Sequence, residues 1–268
     1  DEAKNAMDII MSGQASDIQI SAFLTALRMK GESVNELTGF AISMRSNSIR
    51  LYPQVSGLVD TCGTGGDSIK TFNVSTTSIF VLAGGGVPVA KHANRGVTSK
   101  VGSVDVLEGL GINVEIKPEE VEKVIEDVGV GLMFAPMFHP AMKHVMPVRK
   151  GLQMRTVFNI LGPMTNPAGA RRQVIGVFSD ELLRKVAYTL ENLGTEHSFV
   201  VYGDGMDEVT TIGKTKVFEV TDEVREYNLS PRDFGVAPTT YEQLRVEKTE
   251  VETVFQILEG DAGPKRDI

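Results

Sequence analysis

The sequence predicts an α/β fold with a small N-terminal helical domain and a larger α/β domain built on a mostly parallel central sheet. Two observations support this prediction. Residues 1–52 place apolar side chains at helical spacing and show no strand pattern, whereas short apolar segments alternate with helical segments from residue 58 onward. Strict alternation of short strands and helices is typical of parallel sheets that are covered by helices.

The helical domain contains two helix starts with the same signature. Ser16 and Gln19 form a predicted capping box before an apolar stripe that ends at Gly31, and Ser33 and Glu36 repeat the pattern. We therefore assign residues 1–52 to the helical domain, joined by part of residues 135–161, where the strand–helix alternation lapses. The larger α/β domain is assigned to residues 53–134 and 162–268.

In this α/β domain, short apolar runs predict strands and amphipathic runs predict helices. The predicted strands cover residues 58–59 (leading into a glycine loop), 87–91, 114–116, 130–134, 174–178 and 199–202. The predicted helices cover residues 101–110, 118–128, 157–161 and 180–193, and residues 74–83 are predicted to form a buried helix or a long apolar segment. Pro118 marks a helix start, and Gly111 and Gly129 mark helix ends.

Composition and charge limit the possible partners. The 268 residues carry a formal net charge of -8, which argues against a nucleic-acid surface. No apolar run approaches the ~20 residues that a membrane-spanning helix needs, so we expect no membrane partner. The single cysteine, Cys62, and the lack of an apolar leader predict a cytoplasmic protein. A local basic pocket for an anionic small molecule is compatible with these numbers.

Residues 63–67, Gly-Thr-Gly-Gly-Asp, lie between an apolar strand and a Ser/Thr-rich helix start. Backbone N–H groups of such a loop can surround a phosphate, which approaches closely only where no Cβ obstructs it. Asn73, Ser75 and Thr76 follow at the helix start, where they can cap the helix or donate to phosphate oxygens. The usual ATP and NAD fingerprints are absent, and a simple tight turn is the alternative interpretation.

A basic, hydroxyl-rich segment follows the next predicted strand. Its polar side chains are Lys91, His92, Asn94, Arg95, Thr98, Ser99, Lys100 and Ser103. The carboxyl end of a strand is where α/β proteins bind ligands, and cationic groups there suit phosphates or pyrophosphate. A solvated basic loop is the alternative.

Two more segments carry candidate ligands. Asp204, Asp207 and Glu208 form an acidic turn after a predicted strand, and such oxygen ligands suit Mg²⁺, although an acidic surface turn would look the same. Arg149 lies in a Pro-containing connection where its guanidinium could bind a carboxylate or simply form an ion pair. His139 could contact an aromatic ligand or pack in the core.

The stretches GTGGD, TFNVST, KHANR, TSKVGSVDVLEGLG, RTVFNILGPMTNP and GDGMDE occur in this order. Together they resemble the anthranilate phosphoribosyltransferases of tryptophan biosynthesis, across essentially the whole chain. The resemblance implies transfer of the phosphoribosyl group of 5-phosphoribosyl 1-diphosphate (PRPP) to the amine of anthranilate, with release of pyrophosphate and with Mg²⁺ as cofactor. It also implies that the α/β domain is nucleoside phosphorylase/phosphoribosyltransferase-like and that the protein forms a homodimer through its helical domain. Members of this family begin about one helix earlier than this sequence and continue past Ile268.

The resemblance also implies roles for individual residues. The implied PRPP ligands are Gly63, Gly66, Asp67, Thr71, Asn73, Ser75, Thr76, Lys91, Asn94, Arg95, Thr98, Ser99 and Ser103. The residues implied to contact anthranilate or line its path are Gly63, His92, Asn94, His139, Arg149 and Pro163. The implied Mg²⁺ ligands are Ser75, Asp207 and Glu208.

Two other functions fit the same fold. A pyrimidine nucleoside phosphorylase shares the glycine loop but uses free phosphate and a base; the pair Asp207–Glu208 and the context of Asn94 and Arg149 favour the transferase. A nucleic-acid-binding protein of this fold should carry a long basic face, which the net charge of -8 disfavours.

Overall fold

The computed structural model describes residues 1–65, 71–96, 102–246 and 249–268. The α-helices are α1 (Glu2–Met11), α2 (Asp17–Lys30), α3 (Val34–Ser46), α4 (Val74–Gly84), α5 (Ser103–Gly109), α6 (Pro118–Val128), α7 (Ala135–Phe138), α8 (Met146–Leu152), α9 (Val157–Leu161), α10 (Asp180–Asn192), α11 (Tyr241–Leu244), α12 (Glu250–Leu258) and α13 (Pro264–Asp267). The strands are β1 (Val59–Gly63), β2 (Val89–Ala93), β3 (Val130–Phe134), β4 (Arg172–Gly176), β5 (His197–Gly203), β6 (Thr215–Val220) and β7 (Val224–Leu229). Short 3₁₀ turns cover Pro140–His144, Gly162–Thr165 and Pro231–Phe234.

Within the described residues, the strands form one seven-stranded sheet in the order β3-β2-β1-β4-β5-β6-β7. Strands β1 to β5 are parallel, and β6 and β7 are antiparallel strands at one edge. The predicted mostly parallel sheet is therefore confirmed. The chain moves from β1 out to β3 and then returns to β4 on the other side of β1, which creates a topological switch point between β1 and β4. Open α/β sheets bind ligands beyond the carboxyl ends of their strands at such a point.

The N-terminal helices form as the sequence predicted. Ser16 caps α2 and Ser33 caps α3, each in a complete capping box. The apolar faces of α1, α2 and α3 share one core with Val145 and Val148, which belong to the segment between β3 and β4. The proposal that part of residues 135–161 joins the helical domain stays a prediction, and this shared core supports it.

Two differences from the predicted elements have clear physical reasons. Residues 114–116 are not a strand; they lie in the connection between α5 and α6. Their apolar alternation arises because Val114 packs on the core around α5 and Ile116 packs on the core around α6. The antiparallel strands β6 and β7 were not predicted.

In the described ranges of the chain, no helix is long and apolar enough to cross a membrane.

Candidate active site

A short acidic turn follows β5 and lies at the switch point. Its first residues, Asp204 and Gly205, have φ angles of 51° and 97°. Backbone hydrogen bonds of 2.9 and 3.1 Å between Gly203 and Met206 close the turn. Positive φ at both central residues is the geometry that makes Asp-Gly a favoured hairpin turn. Met206 is buried and anchors the turn, so that Asp207, directly after it, has a fixed position.

Asp207 connects the acidic turn to the glycine loop after β1. Its Oδ2 accepts a hydrogen bond from the Gly65 N–H at 2.8 Å. A Cβ on Gly63 would lie 2.9 Å from the Asp207 Cγ, and a Cβ on Gly176 would overlap with the Asp207 backbone carbonyl. The acidic turn packs directly on β1 and β4, and this packing leaves no room for a side chain at Gly63 or Gly176. For Gly63 this differs from our expectation that a phosphate occupies the space of the missing Cβ. Gly66 and Asp67 lie outside the described residues.

The environment of Asp207 suits a cation. Its side chain is buried, which raises the pKa of its carboxyl, while the Gly65 N–H and the charge of Arg155 act in the opposite direction. Arg155 stacks on Phe178 after β4, with its Cζ 4.2 Å from the ring centroid. A buried carboxylate gains from a nearby positive charge, and its oxygens are ligands that Mg²⁺ prefers. Asp207 therefore fits as an Mg²⁺ ligand.

The protein supplies only part of a coordination sphere. Among the described residues, no group of three or more His, Cys, Asp or Glu side chains is arranged to hold a metal ion. Mg²⁺ usually keeps several waters and binds through a few carboxylates together with substrate phosphates. An ion at Asp207 would therefore depend on neighbouring side chains, on waters and on the substrate for its remaining ligands.

The first turn of α4 contains several of the predicted PRPP ligands. Asn73 is the N-cap residue, but its side chain makes no capping hydrogen bond and contacts the carboxylate of Glu250 instead. The Thr76 Oγ1 is buried and has no hydrogen-bond partner within the part of the chain that is described. Thr71, just before the helix, donates to the Phe72 carbonyl at 3.4 Å. Because Thr76 is completely buried, a ligand would reach this hydroxyl only after the start of α4 has moved.

Lys91 lies on β2 and points into the interior. It is 2% exposed. Its Nζ donates to the Thr61 carbonyl at 2.6 Å and lies 3.3 Å from the Ser75 Oγ. Burial lowers the pKa of Lys91, whereas the negative charges of Asp60 and Glu208 act in the opposite direction. The ammonium group thus lies next to Ser75, one of the predicted Mg²⁺ ligands.

Asp60 is a buried carboxylate that was not among the predicted site residues. It is completely buried on β1. The Gln173 Nε2 lies 3.4 Å from its Oδ2, and the His92 backbone N–H donates to its Oδ1 at 3.5 Å. Burial raises the pKa of Asp60, while the charge of Lys91 and a hydrogen bond from Asn166 lower it. The sequence signal was a carboxylate within an apolar strand, because such a group is tolerated there only with buried partners.

The structure brings His92 and His139 together. Their ring centroids lie 4.9 Å apart. The His92 Nδ1 lies 3.2 Å from the Gly162 carbonyl oxygen, which can only accept, so Nδ1 carries the proton and Nε2 is an acceptor. Burial lowers the pKa of His92 to about 3 and that of His139 to about 4. Both rings are therefore neutral near pH 7, and Pro163, another predicted site residue, follows Gly162 directly.

The sequence suggested that Arg149 lies in an irregular connection. In the structure it lies on helix α8 instead. The proline before it occupies the first turn of the helix, where its missing N–H has no helical partner to lose. The guanidinium Cζ lies 5.6 Å from the Phe158 ring centroid, and burial lowers the pKa of Arg149. Arg149 forms no ion pair with the described residues.

The basic segment after β2 is less available than the sequence suggested. Arg95 pairs with Glu108 at 2.7 Å and with Asp105 at 3.3 Å, so a phosphate contact would require its guanidinium to leave these carboxylates. Asn94 and Ser103 bind each other, since the Ser103 Oγ donates to the Asn94 carbonyl at 3.1 Å. This bond holds the start of α5 against the end of β2. Thr98, Ser99 and Lys100 lie outside the described residues.

Known proteins are similar to this chain in sequence and in fold. Residues 1–48 match the profile described as "Glycosyl transferase family, helical bundle domain", and residues 56–268 match "Glycosyl transferase family, a/b domain". A protein from Methanocorpusculum labreanum named anthranilate phosphoribosyltransferase is 51% identical over 271 residues, which cover 100% of this chain and 80% of that protein. The chain belongs to the anthranilate phosphoribosyltransferase family. The resemblance that we drew from the motifs is therefore confirmed.

Solved structures of the same family agree with the fold. The anthranilate phosphoribosyltransferase of Thermus thermophilus superposes with a TM-score of 0.93 at 42% identity, over 99% of this chain and 80% of that chain. The enzyme from Saccharomyces cerevisiae, in complex with PRPP and Mg, superposes with a TM-score of 0.87 at 30% identity, over 99% of this chain and 79% of that chain. The predicted fold class, with its N-terminal helical domain, is therefore confirmed as well.

Proposed function

We propose that this protein transfers the phosphoribosyl group of PRPP to the amine of anthranilate, giving N-(5-phosphoribosyl)anthranilate and pyrophosphate in tryptophan biosynthesis. The observation that carries the substrate assignment is Arg149. A guanidinium that is largely removed from water, without a carboxylate partner, is unfavourable until a ligand supplies one. Anthranilate carries one carboxylate on a flat ring, and an arginine can bind it through two parallel hydrogen bonds.

The remaining anthranilate contacts are proposed from the same region. They are Gly63, His92, Asn94, His139 and Pro163. Helix α9 supports the arrangement, because Phe158 under Arg149 and Gly162 beside His92 lie about one helical turn apart. Neutral imidazoles do not repel the arginine, and they do not protonate the anthranilate nitrogen. The lone pair of that nitrogen therefore stays available for attack on ribose C1.

PRPP is proposed to lie at the switch point between β1 and β4. Its proposed ligands are Gly63, Gly66, Asp67, Thr71, Asn73, Ser75, Thr76, Lys91, Asn94, Arg95, Thr98, Ser99 and Ser103. The start of α4 supports this placement, because a helix N-terminus favours an anion and the Lys91 ammonium lies 3.3 Å from the Ser75 Oγ in the first turn.

The reaction is a displacement at ribose C1. The anthranilate nitrogen forms the new bond to C1 as the bond to the diphosphate oxygen breaks, and the nitrogen then loses a proton. An aniline nitrogen is nucleophilic enough to need no covalent intermediate, so the protein positions the two substrates and stabilises the leaving group. Ser75, Asp207 and Glu208 would hold Mg²⁺, which when bound neutralises charge on the diphosphate.

We further propose a cytoplasmic homodimer that is formed through the helical domain. Two apolar side chains on α2 support the interface, since Ile18 is 82% exposed and Met29 is 84% exposed. The two residues lie about three helical turns apart on the same face of α2, and exposed apolar side chains that share one face are typical of protein–protein interfaces. The single cysteine is unpaired, as is usual in a reducing compartment.

A turnover assay tests the proposed function. The protein is mixed with PRPP, Mg²⁺ and anthranilate, and the loss of anthranilate fluorescence is followed, with parallel reactions that lack PRPP or Mg²⁺. We expect fluorescence loss only in the complete mixture, with one pyrophosphate released per anthranilate consumed. No turnover in the complete mixture, together with phosphorolysis of a pyrimidine nucleoside by free phosphate, would replace the transferase by a phosphorylase.

A further inference from the structure

A contact between helix α12 and the start of α4 has no role in the function proposed above. Glu250 is the first residue of α12. Its Oε2 accepts a hydrogen bond from the Asn73 backbone N–H at 3.3 Å and a second, short one from the Asn73 side-chain Nδ2. One carboxylate oxygen therefore binds both the backbone and the side chain of a residue that we assign to PRPP.

Glu250 is held firmly in this position. Thr249 caps α12, because its Oγ1 accepts from the Glu252 N–H at 3.2 Å and the Glu252 carboxylate accepts from the Thr249 N–H at 3.1 Å. One turn further, Thr253 and Val254 are buried. The capping box and the buried face fix the axis of α12, and a residue in its first turn has little freedom to move away from α4.

The contact also fixes the orientation of the Asn73 amide. An ionised carboxylate only accepts hydrogen bonds, so the amide must turn its NH₂ group toward Glu250 and its Oδ1 away from it. Helix α4 does not use this side chain, because the Asn73 backbone carbonyl, and not its amide, accepts from the Thr77 N–H and hydroxyl at 3.0 Å each. The Asn73 Oδ1 is thus available as an acceptor at the proposed PRPP site.

We propose that Glu250 is a positioning residue for PRPP, which holds the Asn73 Nδ2 so that the Asn73 Oδ1 accepts a hydrogen bond from a ribose hydroxyl. An acceptor oxygen repels phosphate oxygens but suits the O–H groups of the ribose, which are the only donors on PRPP at neutral pH. The inference rests on the proposed function, in which Asn73 binds PRPP. It makes α12, far from the glycine loop in sequence, a support for substrate recognition.

A double-mutant cycle tests this role. Glu250→Gln keeps the shape of the side chain but adds a donor, which lets the Asn73 amide turn over and lose its preferred orientation. The variants are Glu250→Gln, Asn73→Ala and the double variant, and the control is Glu259→Gln at the exposed end of α12. PRPP affinity is measured by calorimetry with Mg²⁺ and without anthranilate, and KM is measured for each substrate.

We expect Glu250→Gln to weaken PRPP binding about ten-fold, the effect of one charge-assisted hydrogen-bond arrangement. The KM for anthranilate should change less than about two-fold. In the Asn73→Ala background the same substitution should change PRPP affinity less than about two-fold, because Glu250 acts through Asn73. Glu259→Gln should match the parent protein in both measurements.

Three results would overturn the proposal. They are unchanged PRPP affinity in Glu250→Gln, an equal loss with and without the Asn73 side chain, and an equal increase in both KM values. The last two, with a decreased Tm, would mean that Glu250 only supports the fold. A parent protein that binds PRPP but consumes no anthranilate would contradict the proposed function alone. A fully active enzyme with an unaffected Glu250→Gln variant would contradict this inference alone.

Discussion

Gly63→Ala should show that the glycine loop and the acidic turn form one unit. The new Cβ would lie 2.9 Å from the Asp207 Cγ and closer still to its Oδ2, so the carboxylate must move. The turn cannot retreat easily, because a closed backbone turn and the buried Met206 hold it. We therefore expect the substitution to affect both the free energy of unfolding and the Mg²⁺ dependence of the reaction.

The magnitude follows from the contacts that change. One extra methyl group in a packed site costs about 1–3 kcal/mol. Moving Asp207 also weakens its hydrogen bond from the Gly65 N–H, 2.8 Å long, and bonds of this charged type contribute about 1.5–3 kcal/mol. We expect a total loss of about 2–4 kcal/mol, which lowers Tm by about 5–15 °C in a protein of this size. The Mg²⁺ concentration for half-maximal activity should rise about ten-fold or more, as when a metal ligand loses its orientation.

The assay is thermal unfolding of Gly63→Ala, followed by a titration of its activity with Mg²⁺. Gly84→Ala is the matched control, because a Cβ there meets no atom within 4 Å and the residue lies at the end of a helix. The control should leave the Mg²⁺ titration unchanged. If Gly63→Ala matched the parent protein in both Tm and Mg²⁺ response, the contact with Asp207 would not be the reason that position 63 requires glycine.

Three further predictions concern side chains of the site. The double variant Asp207→Asn with Glu208→Gln should lose at least about 100-fold in activity and shift the Mg²⁺ titration; an unaltered titration would reduce the turn to an acidic surface feature. Arg149→Ala should lower kcat/KM for anthranilate, by an amount equivalent to about 2–4 kcal/mol of transition-state stabilisation, and should leave PRPP binding nearly intact. If Arg149 only supported the fold, separate titrations of the two substrates would show equal increases in both KM values. In the folded protein the pKa of His92 is about 3 and that of His139 is about 4, whereas the pKa of a histidine in the unfolded chain is about 6.5. At a pH between the folded and unfolded pKa values, the unfolded state therefore binds more protons than the folded state. Stability should therefore decrease as the pH falls from about 6.5 toward 4, and His139→Gln should show a smaller decrease in thermal unfolding scans; an identical decrease would mean that this ring is not buried in its neutral form.

The local elements could be predicted because their signals are local. The capping boxes at Ser16 and Ser33 and the glycine at the end of α6 each depend on a few neighbouring residues. The strands β6 and β7 escaped prediction because they follow the acidic turn as an edge hairpin, and eight of their twelve side chains are exposed or only partly buried. Residues 114–116 gave the opposite error, since an extended connection that packs on two cores shows the same alternation as a strand.

The site was predicted as a set of residues but not as a set of contacts. Sequence order indicated that Asp207 and Gly63 both follow strands, but not that one packs against the other across the switch point. The pairing of Arg95 with Glu108, and that of Asn73 with Glu250, also depends on segments that only the folded chain brings together. Such contacts require the strand order, which a single sequence does not supply.

The strand register explains why charged residues lie beneath the site. β1 pairs with β4 from Val59 to Gly63, but with β2 only at Val59, so β1 and β2 separate toward their carboxyl ends. In the gap, the Lys91 Nζ donates to the Thr61 carbonyl and the Asp60 carboxylate accepts from the His92 N–H, so side chains replace the missing ladder bonds. Apolar side chains here would leave both backbone groups buried and unpaired, at a cost of about 1–3 kcal/mol each. The separation of the strands lets the first turn of α4 approach the sheet, where Ser75 meets Lys91. The buried lysine and aspartate are therefore required by the opening between β1 and β2, whichever ligand that opening receives.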